Sequence, residues 1–175
     1  MPNWCYNSAE ISGPASVIRK IEQGAREGKL FESLRPIPVD QEENWYEWNI
    51  SNWGTKWDTT ADVNNIEEPD ENGVASITLM FDSAWSPPVE WYAYITEKYL
   101  VNVDALYHEP GVGYVGQWAD GVDECYEYLD YAADKIREFI GEKLDDYWGI
   151  SADMLWDESD FEVDLDKLEE EKPTQ

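Results

Sequence analysis

Basic side chains are scarce in this chain: 12 Lys and Arg stand against 39 Asp and Glu over 175 residues, a formal net charge of −27. That deficit argues against a surface that holds DNA or RNA directly, because such surfaces neutralise backbone phosphates with Lys and Arg. Cysteine and histidine are nearly missing as well, with two Cys and one His. They leave little material for a structural zinc site. Cys5 and Cys125 are expected as two free thiols in a reducing compartment. No apolar run approaches the roughly 20 residues that cross a bilayer, so no membrane span is expected. The opening Met-Pro-Asn-Trp-Cys lacks the basic and apolar regions of a signal peptide, so the expected location is cytoplasmic.

Aromatic residues, by contrast, are abundant. Ten Trp, eleven Tyr and four Phe make 14% of the chain, and 42% of all residues are apolar. Acidic chains that stay disordered are poor in aromatics, so this one is expected to build an aromatic core. The length suits one domain with an appendage. The acid is also unevenly placed: residues 1–50 carry a net −3 and residues 101–175 a net −17. A charge of that size opposes compaction by self-repulsion and attracts basic surfaces, including those that normally hold nucleic acid.

Along the chain, residues 6–13 alternate as a first strand, and Gly13-Pro14 ends it. Val17, Ile18, Ile21 and Ala25 recur at helical spacing over Ala15 to Glu27. Residues 34–58 hold Pro36, Pro38 and four Trp, and read as an irregular loop. A second strand over 59–66 leads to Asn72-Gly73, a hairpin signal because both residues tolerate positive φ. Ala75, Ile77, Leu79 and Phe81 then line one face of a third strand. Pro87-Pro88 precedes a helical pattern over 89–99, and residues 101–107 form a fourth strand. Strand, helix, strand, strand, helix, strand is the split βαβ order of an α+β, ferredoxin-like antiparallel sheet with helices on one face. Gly111, Gly113 and Gly116 suggest a further hairpin.

After Gly121 the pattern changes. Residues 124–148 read as one amphipathic helix, with Cys125, Leu129, Ala132, Ala133, Ile136, Ile140, Leu144 and Tyr147 on one face. Asp123, Glu127, Asp130, Asp134, Glu138, Glu142 and Asp145 fall opposite. Residues 151–171 fit a strand with an acidic face or a helix equally well. The expected division is a ferredoxin-like domain over 1–121 and an acidic C-terminal helix and tail over 122–175, packed on it.

Four stretches carry a resemblance: Pro2-Asn3-Trp4-Cys5, Asn52-Trp53-Gly54-Thr55-Lys56-Trp57-Asp58, Ala84-Trp85-Ser86-Pro87-Pro88, and Glu109-Pro110-Gly111 with Gly116 beyond. Together they resemble the YubB-like ferredoxin-like domain family of phages and plasmids, over roughly residues 1–121. The resemblance implies a ferredoxin-like fold and a mobile-element origin, and it implies no chemistry. The acidic segment after Gly121 departs from it.

The acidic stripe is one candidate site. Asp123-Glu127, Asp130-Asp134, Asp134-Glu138 and Glu138-Glu142 repeat one sign at i, i+4, where a merely solvated helix gains by mixing signs. One helical stripe carries a charge every ~5.4 Å. A DNA strand carries one phosphate per ~3.4 Å, so only several acidic elements together approach its density. The expected function is a non-enzymatic inhibitor that mimics DNA and blocks a basic, nucleic-acid-binding host defence protein, a nuclease or CRISPR effector, of anti-restriction or anti-CRISPR type. The expected contact residues are Asp123, Glu127, Asp130, Asp134, Glu138, Asp145, Glu158, Asp160, Glu162 and Asp164, with Tyr128, Tyr131, Tyr147, Trp148 and Trp156 placed as aromatic anchors. The alternative is a mobile-element binding module with a Trp-lined pocket for a small ligand or protein partner, formed by Trp53, Lys56, Trp57 and Trp85. Neither 120–130 nor 160–171 has the spacing of a calcium-binding EF-hand loop, so no metal or other cofactor is expected. His108 lacks any nucleophile or phosphate-loop signature around it, so no catalysis is expected.

Overall fold

In the computed structural model of the chain, residues 3–156 are described. They fall into two compact units, with the chain passing from one to the other between Tyr126 and Glu127. The first unit opens with strand β1 (Trp4–Pro14), whose residues alternate between buried and exposed. Helix α1 (Ala15–Glu27) follows directly and buries Ile18, Ile21, Gly24 and Ala25 on one face. Gly28, at φ +74°, closes it in the left-handed conformation that glycine adopts without a Cβ clash. The proline-rich stretch that follows is more ordered than a loop. It holds a 3₁₀ turn (Val39–Asn44) and then helix α2 (Trp45–Asn52). The two prolines, Pro36 and Pro38, lie just ahead of both, where missing amide donors cost nothing.

Strand β2 (Asp62–Glu67) and strand β3 (Val74–Ala84) pair antiparallel through the expected hairpin. Gly73 there takes φ +78°, and the Asp70 carboxylate accepts the amides of Asn72 and Val74 at 2.8 and 2.9 Å. Helix α3 (Val89–Tyr99) then leads to β4 (Asn102–Glu109). The four strands lie in the order β2-β3-β1-β4, with β1 antiparallel to both neighbours. That is the ferredoxin-like arrangement, as the element order predicts. Two more strands, β5 (Tyr114–Ala119) and β6 (Val122–Glu127), extend the sheet beyond β4 to six.

The core lies between the sheet and the helices. Ala9, Ile11, Ala75, Ile77, Leu79, Phe81, Val103 and Ala105 point to one side and meet Ile18 and Ile21 of α1 and Trp91, Tyr92 and Ile95 of α3. Phe31 is its hub, with the rings of Trp91, Trp53 and Phe81 at 5.4, 5.7 and 6.0 Å. Each such fully buried side chain stabilises the fold by about 1.5–3 kcal/mol. The alternate residues of the same strands, such as Tyr6, Glu10, Met80 and Asp82, point to the other face and are exposed.

The single long helix expected over 124–148 does not form. Residues 122–127 are strand β6, a turn follows, and the helical part is two short helices, α4 (Ala133–Ile140) and α5 (Glu142–Trp148). Gly141 separates them at φ +87°, ψ 156°, a conformation outside the helical region and open chiefly to glycine. Asp120 and Gly121, both at positive φ, make the turn into β6. Half of the predicted apolar face survives the break: Ala133, Ile136, Ile140 and Leu144 are buried. Cys125, Leu129, Ala132 and Tyr147 are exposed instead. Residues 150–156 are helical; the rest of the 151–171 segment, whose strand or helix reading was open, lies outside the described residues. Among the described residues no helix is long and apolar enough to cross a membrane.

Candidate functional site

The motif segments that are far apart in sequence converge at one end of the sheet. The register of β1 on β3 sets Trp4 beside Ala84 and Cys5 beside Ser83. The amide of Trp85 then donates to the carbonyl of Asn3 at 2.9 Å. Thr55, fully buried, donates its hydroxyl to the Ala84 carbonyl at 3.0 Å, and Ser86 donates to the Gly54 carbonyl at 2.5 Å. Asn7, also buried, bridges the strands by donating to the Cys5 carbonyl at 2.7 Å and the Ser83 hydroxyl at 2.9 Å. The buried Glu109 carboxylate turns back to accept the amides of Gly111 and Val112 at 3.0 and 2.6 Å. A Cβ on Gly111 would stand 2.7 Å from the Asn3 side-chain amide, which explains a glycine there.

The convergence fixes a group of aromatic rings around one cation. The Lys56 ammonium sits 4.5 Å from the Trp85 ring centre, 4.6 Å from Trp57 and 5.9 Å from Tyr46. Trp4 lies against Trp57 at 6.4 Å, and Tyr46 lies edge-on to Trp85 at the same separation. Trp85 holds φ +70°, unusual for a bulky residue, and its carbonyl accepts the Tyr114 hydroxyl at 2.5 Å. Two hydrogen bonds therefore hold a strained backbone so that the indole faces Lys56. The Lys56 carbonyl in turn accepts the side-chain amide of the buried Asn49 at 2.9 Å. Cys5, fully buried opposite Ser83, has its thiol pushed up to about 12, by burial above all.

Three of the four expected pocket residues, Lys56, Trp57 and Trp85, thus come together. Trp53 does not join them. It is 2% exposed, packs edge-on to Trp48 at 5.6 Å, and donates its indole N–H to the Arg35 carbonyl at 3.0 Å. Standing at the C-terminal end of α2, it turns into the core, where its ring has more surface to bury. Tyr46 and Trp4 were missed as members. Trp4 stands in the Pro2-Asn3-Trp4-Cys5 stretch, but nothing local in the sequence ties Tyr46 to Lys56.

The acidic candidates fare differently from one another. Glu127 ends β6, Asp130 lies in the turn after it, and Asp134 and Glu138 lie one turn apart on α4; all four are exposed. Lys135 lies 3.7 Å from Asp134 at the surface, a pairing worth little in water. Asp123 lies on β6, and its carboxylate accepts the Tyr107 hydroxyl at 2.7 Å. Burial raises its pKa, and that hydrogen bond partly offsets the rise. Asp145 is 4% exposed and accepts the Ser151 amide and hydroxyl at 2.8 and 2.7 Å, with Arg137 at 3.3 Å. It is an internal anchor and no outward charge. The remaining four, Glu158, Asp160, Glu162 and Asp164, lie outside the described residues. The one-sided helical stripe is therefore a set of short elements, because β6 and Gly141 interrupt it. Of the aromatic anchors, Tyr128 is buried, Tyr131 stacks on Phe139 at 3.8 Å, and Tyr147 and Trp156 are exposed. Trp148, intermediate in exposure, sets its ring edge-on to Tyr147 at 4.9 Å.

Among the described residues no three His, Cys, Asp or Glu side chains are grouped as metal ligands would be. Residues 52–139, just over half of the chain, match the family model described as the ferredoxin-like domain in Api92-like protein, and the chain belongs to that family. The matched span begins at the Asn52 motif and runs through β6 into α4, past Gly121, where the resemblance was expected to stop. No curated protein and no solved structure matches the chain.

Proposed function

We propose that this member of the ferredoxin-like domain family is a non-enzymatic, acidic inhibitor, encoded by a phage or plasmid, that acts in the host cytosol. Its partner is a basic protein that normally holds nucleic acid, such as a restriction nuclease or CRISPR effector. The observation that carries the reading is the charge balance. With 39 acids and 12 bases, at least 27 carboxylates have no basic side chain of the chain to neutralise them. Glu127, Asp130, Asp134 and Glu138 are exposed members of that excess. Carboxylates occupying a groove lined with Lys and Arg displace the phosphates held there and gain the same charge complementarity. Asp134 and Glu138 stand about 6 Å apart along α4, sparser than phosphates, so the mimicry needs charge from more than one element.

The test is displacement of labelled DNA from purified candidate nucleases and effector complexes. The expected outcome is displacement that weakens steeply with salt and is lost when Glu127, Asp130, Asp134 and Glu138 are replaced by Lys. Equal displacement by both versions overturns the role of those four residues, and no displacement of DNA from any basic partner overturns the reading. A second reading keeps the acid for solubility and makes the aromatic end of the sheet the contact surface. The convergence of the motif segments around Lys56 favours it.

A further inference from the structure

Trp4, Tyr46 and Trp85 each leave about two-fifths of their surface in water, at 41, 43 and 39%. Large aromatic side chains held rigidly at an exposed patch are the usual anchors of protein interfaces. Here the rigidity is explicit, since Asn3, Tyr114 and Asn49 pin the backbone of Trp85 and Lys56. Lys56 is the unusual element. All three ring distances lie within the ~6 Å reach of a cation–π contact. Among the described residues its ammonium has no ion pair, in a chain with 39 carboxylates. The ring cage therefore fits a cation, and its occupant is a tethered one with no carboxylate to leave behind among the described residues.

We propose that this cage receives an arginine or lysine side chain of a basic partner, and that Lys56 is a displaceable occupant that fills it beforehand. The net charge of −27 selects the partner's sign, because it draws cations to the surface and repels anions. Two cations do not share one cage at these distances, so an arriving guanidinium replaces the lysine. Lys56 then swings into water on its flexible stem, with its backbone still held by Asn49. Arginine suits the rings better than lysine, because its planar head stacks on indole faces and is more weakly hydrated. The proposal takes the basic partner from the inhibitor reading, yet the cage is testable without one.

The experiment titrates the full chain with N-acetyl-arginine amide in 0.5 M salt, following the tryptophan indole N–H signals by NMR. The salt suppresses attraction to the acidic surface at large. Saturable shifts confined to Trp57 and Trp85 are expected. Lys56→Ala should tighten binding about two- to tenfold, the resident having been removed. Trp85→Gly, whose backbone accepts φ +70° freely, should abolish it. Unchanged or weaker binding by Lys56→Ala overturns the proposal. So do shifts caused by acetate or phosphate that vanish in Lys56→Ala, which would make Lys56 an anion anchor. Failure to displace DNA with intact cage binding defeats the inhibitor reading alone; DNA displacement without cage binding defeats this proposal alone.

Discussion

Replacing Asp145 by Ala separates a structural carboxylate from an interaction carboxylate. Its oxygens accept two hydrogen bonds from Ser151 and one from Arg137, at 2.8, 2.7 and 3.3 Å. Hydrogen bonds to a charged acceptor contribute about 1.5–3 kcal/mol each. Arg137 also reaches Asp146 and lies 3.8 Å from Glu142, so its charge keeps partners and that contact counts for little. The two Ser151 bonds then set the loss at about 3 kcal/mol. Spread over the unit that holds them, this corresponds to a roughly 100-fold rise in exchange of the Ser151 amide. Hydrogen exchange followed residue by residue is the suitable assay, because ten Trp in the chain blur a bulk fluorescence signal. Asp145→Asn keeps one acceptor oxygen and should recover about half of the loss. Glu138→Ala, on an exposed face, should stay within about 0.5 kcal/mol of the parent. Wild-type exchange in Asp145→Ala would refute the internal role and return the residue to the outward-facing set.

Gly116→Ala should destabilise the sheet by about 3 kcal/mol or more, measured by urea denaturation, because the new Cβ would stand 2.3 Å from the Tyr107 hydroxyl and 2.4 Å from the Glu124 carbonyl. Lowering the pH from 7 towards the unfolded carboxylate value of about 3.9 should raise the urea midpoint. Asp58, Asp82 and Asp123 all have pKa values raised by burial in the fold, so their stabilising contribution is full below the unfolded value near 3.9 and fades as pH climbs through the raised one. Asp70, held down by the Val74 amide, and Asp146, held down by Arg137, lose their stabilising share only at still lower pH. Asp82→Asn should raise the midpoint at pH 7 and flatten the slope; an unchanged slope would refute its part. A thiol reagent at pH 8 should modify the exposed Cys125 alone in the native chain and both cysteines in urea, since Cys5 is buried and its thiol titrates near 12.

Local pattern made much of this chain legible in advance. Alternation at Ala75, Ile77, Leu79 and Phe81, the 3.6-residue spacing of Ile18, Ile21 and Ala25, and Asn72-Gly73 each report which face or turn a short segment adopts. Their order was enough for the ferredoxin-like sheet, because side-chain periodicity and glycine conformation are properties of neighbouring residues. The charge excess is likewise a matter of composition alone. Tertiary structure decided where those charges point. Asp145 turned inward because Ser151 and Arg137 reach it. The predicted acidic helix yielded to β6, where residues 122–127 had a sheet edge to join, and to Gly141, which stepped out of the helical region. The ring cage belongs wholly to this second category. Lys56, Trp57, Trp85 and Tyr46 meet where Thr55 donates to the Ala84 carbonyl and Ser86 to the Gly54 carbonyl, contacts across about thirty residues that no local periodicity encodes.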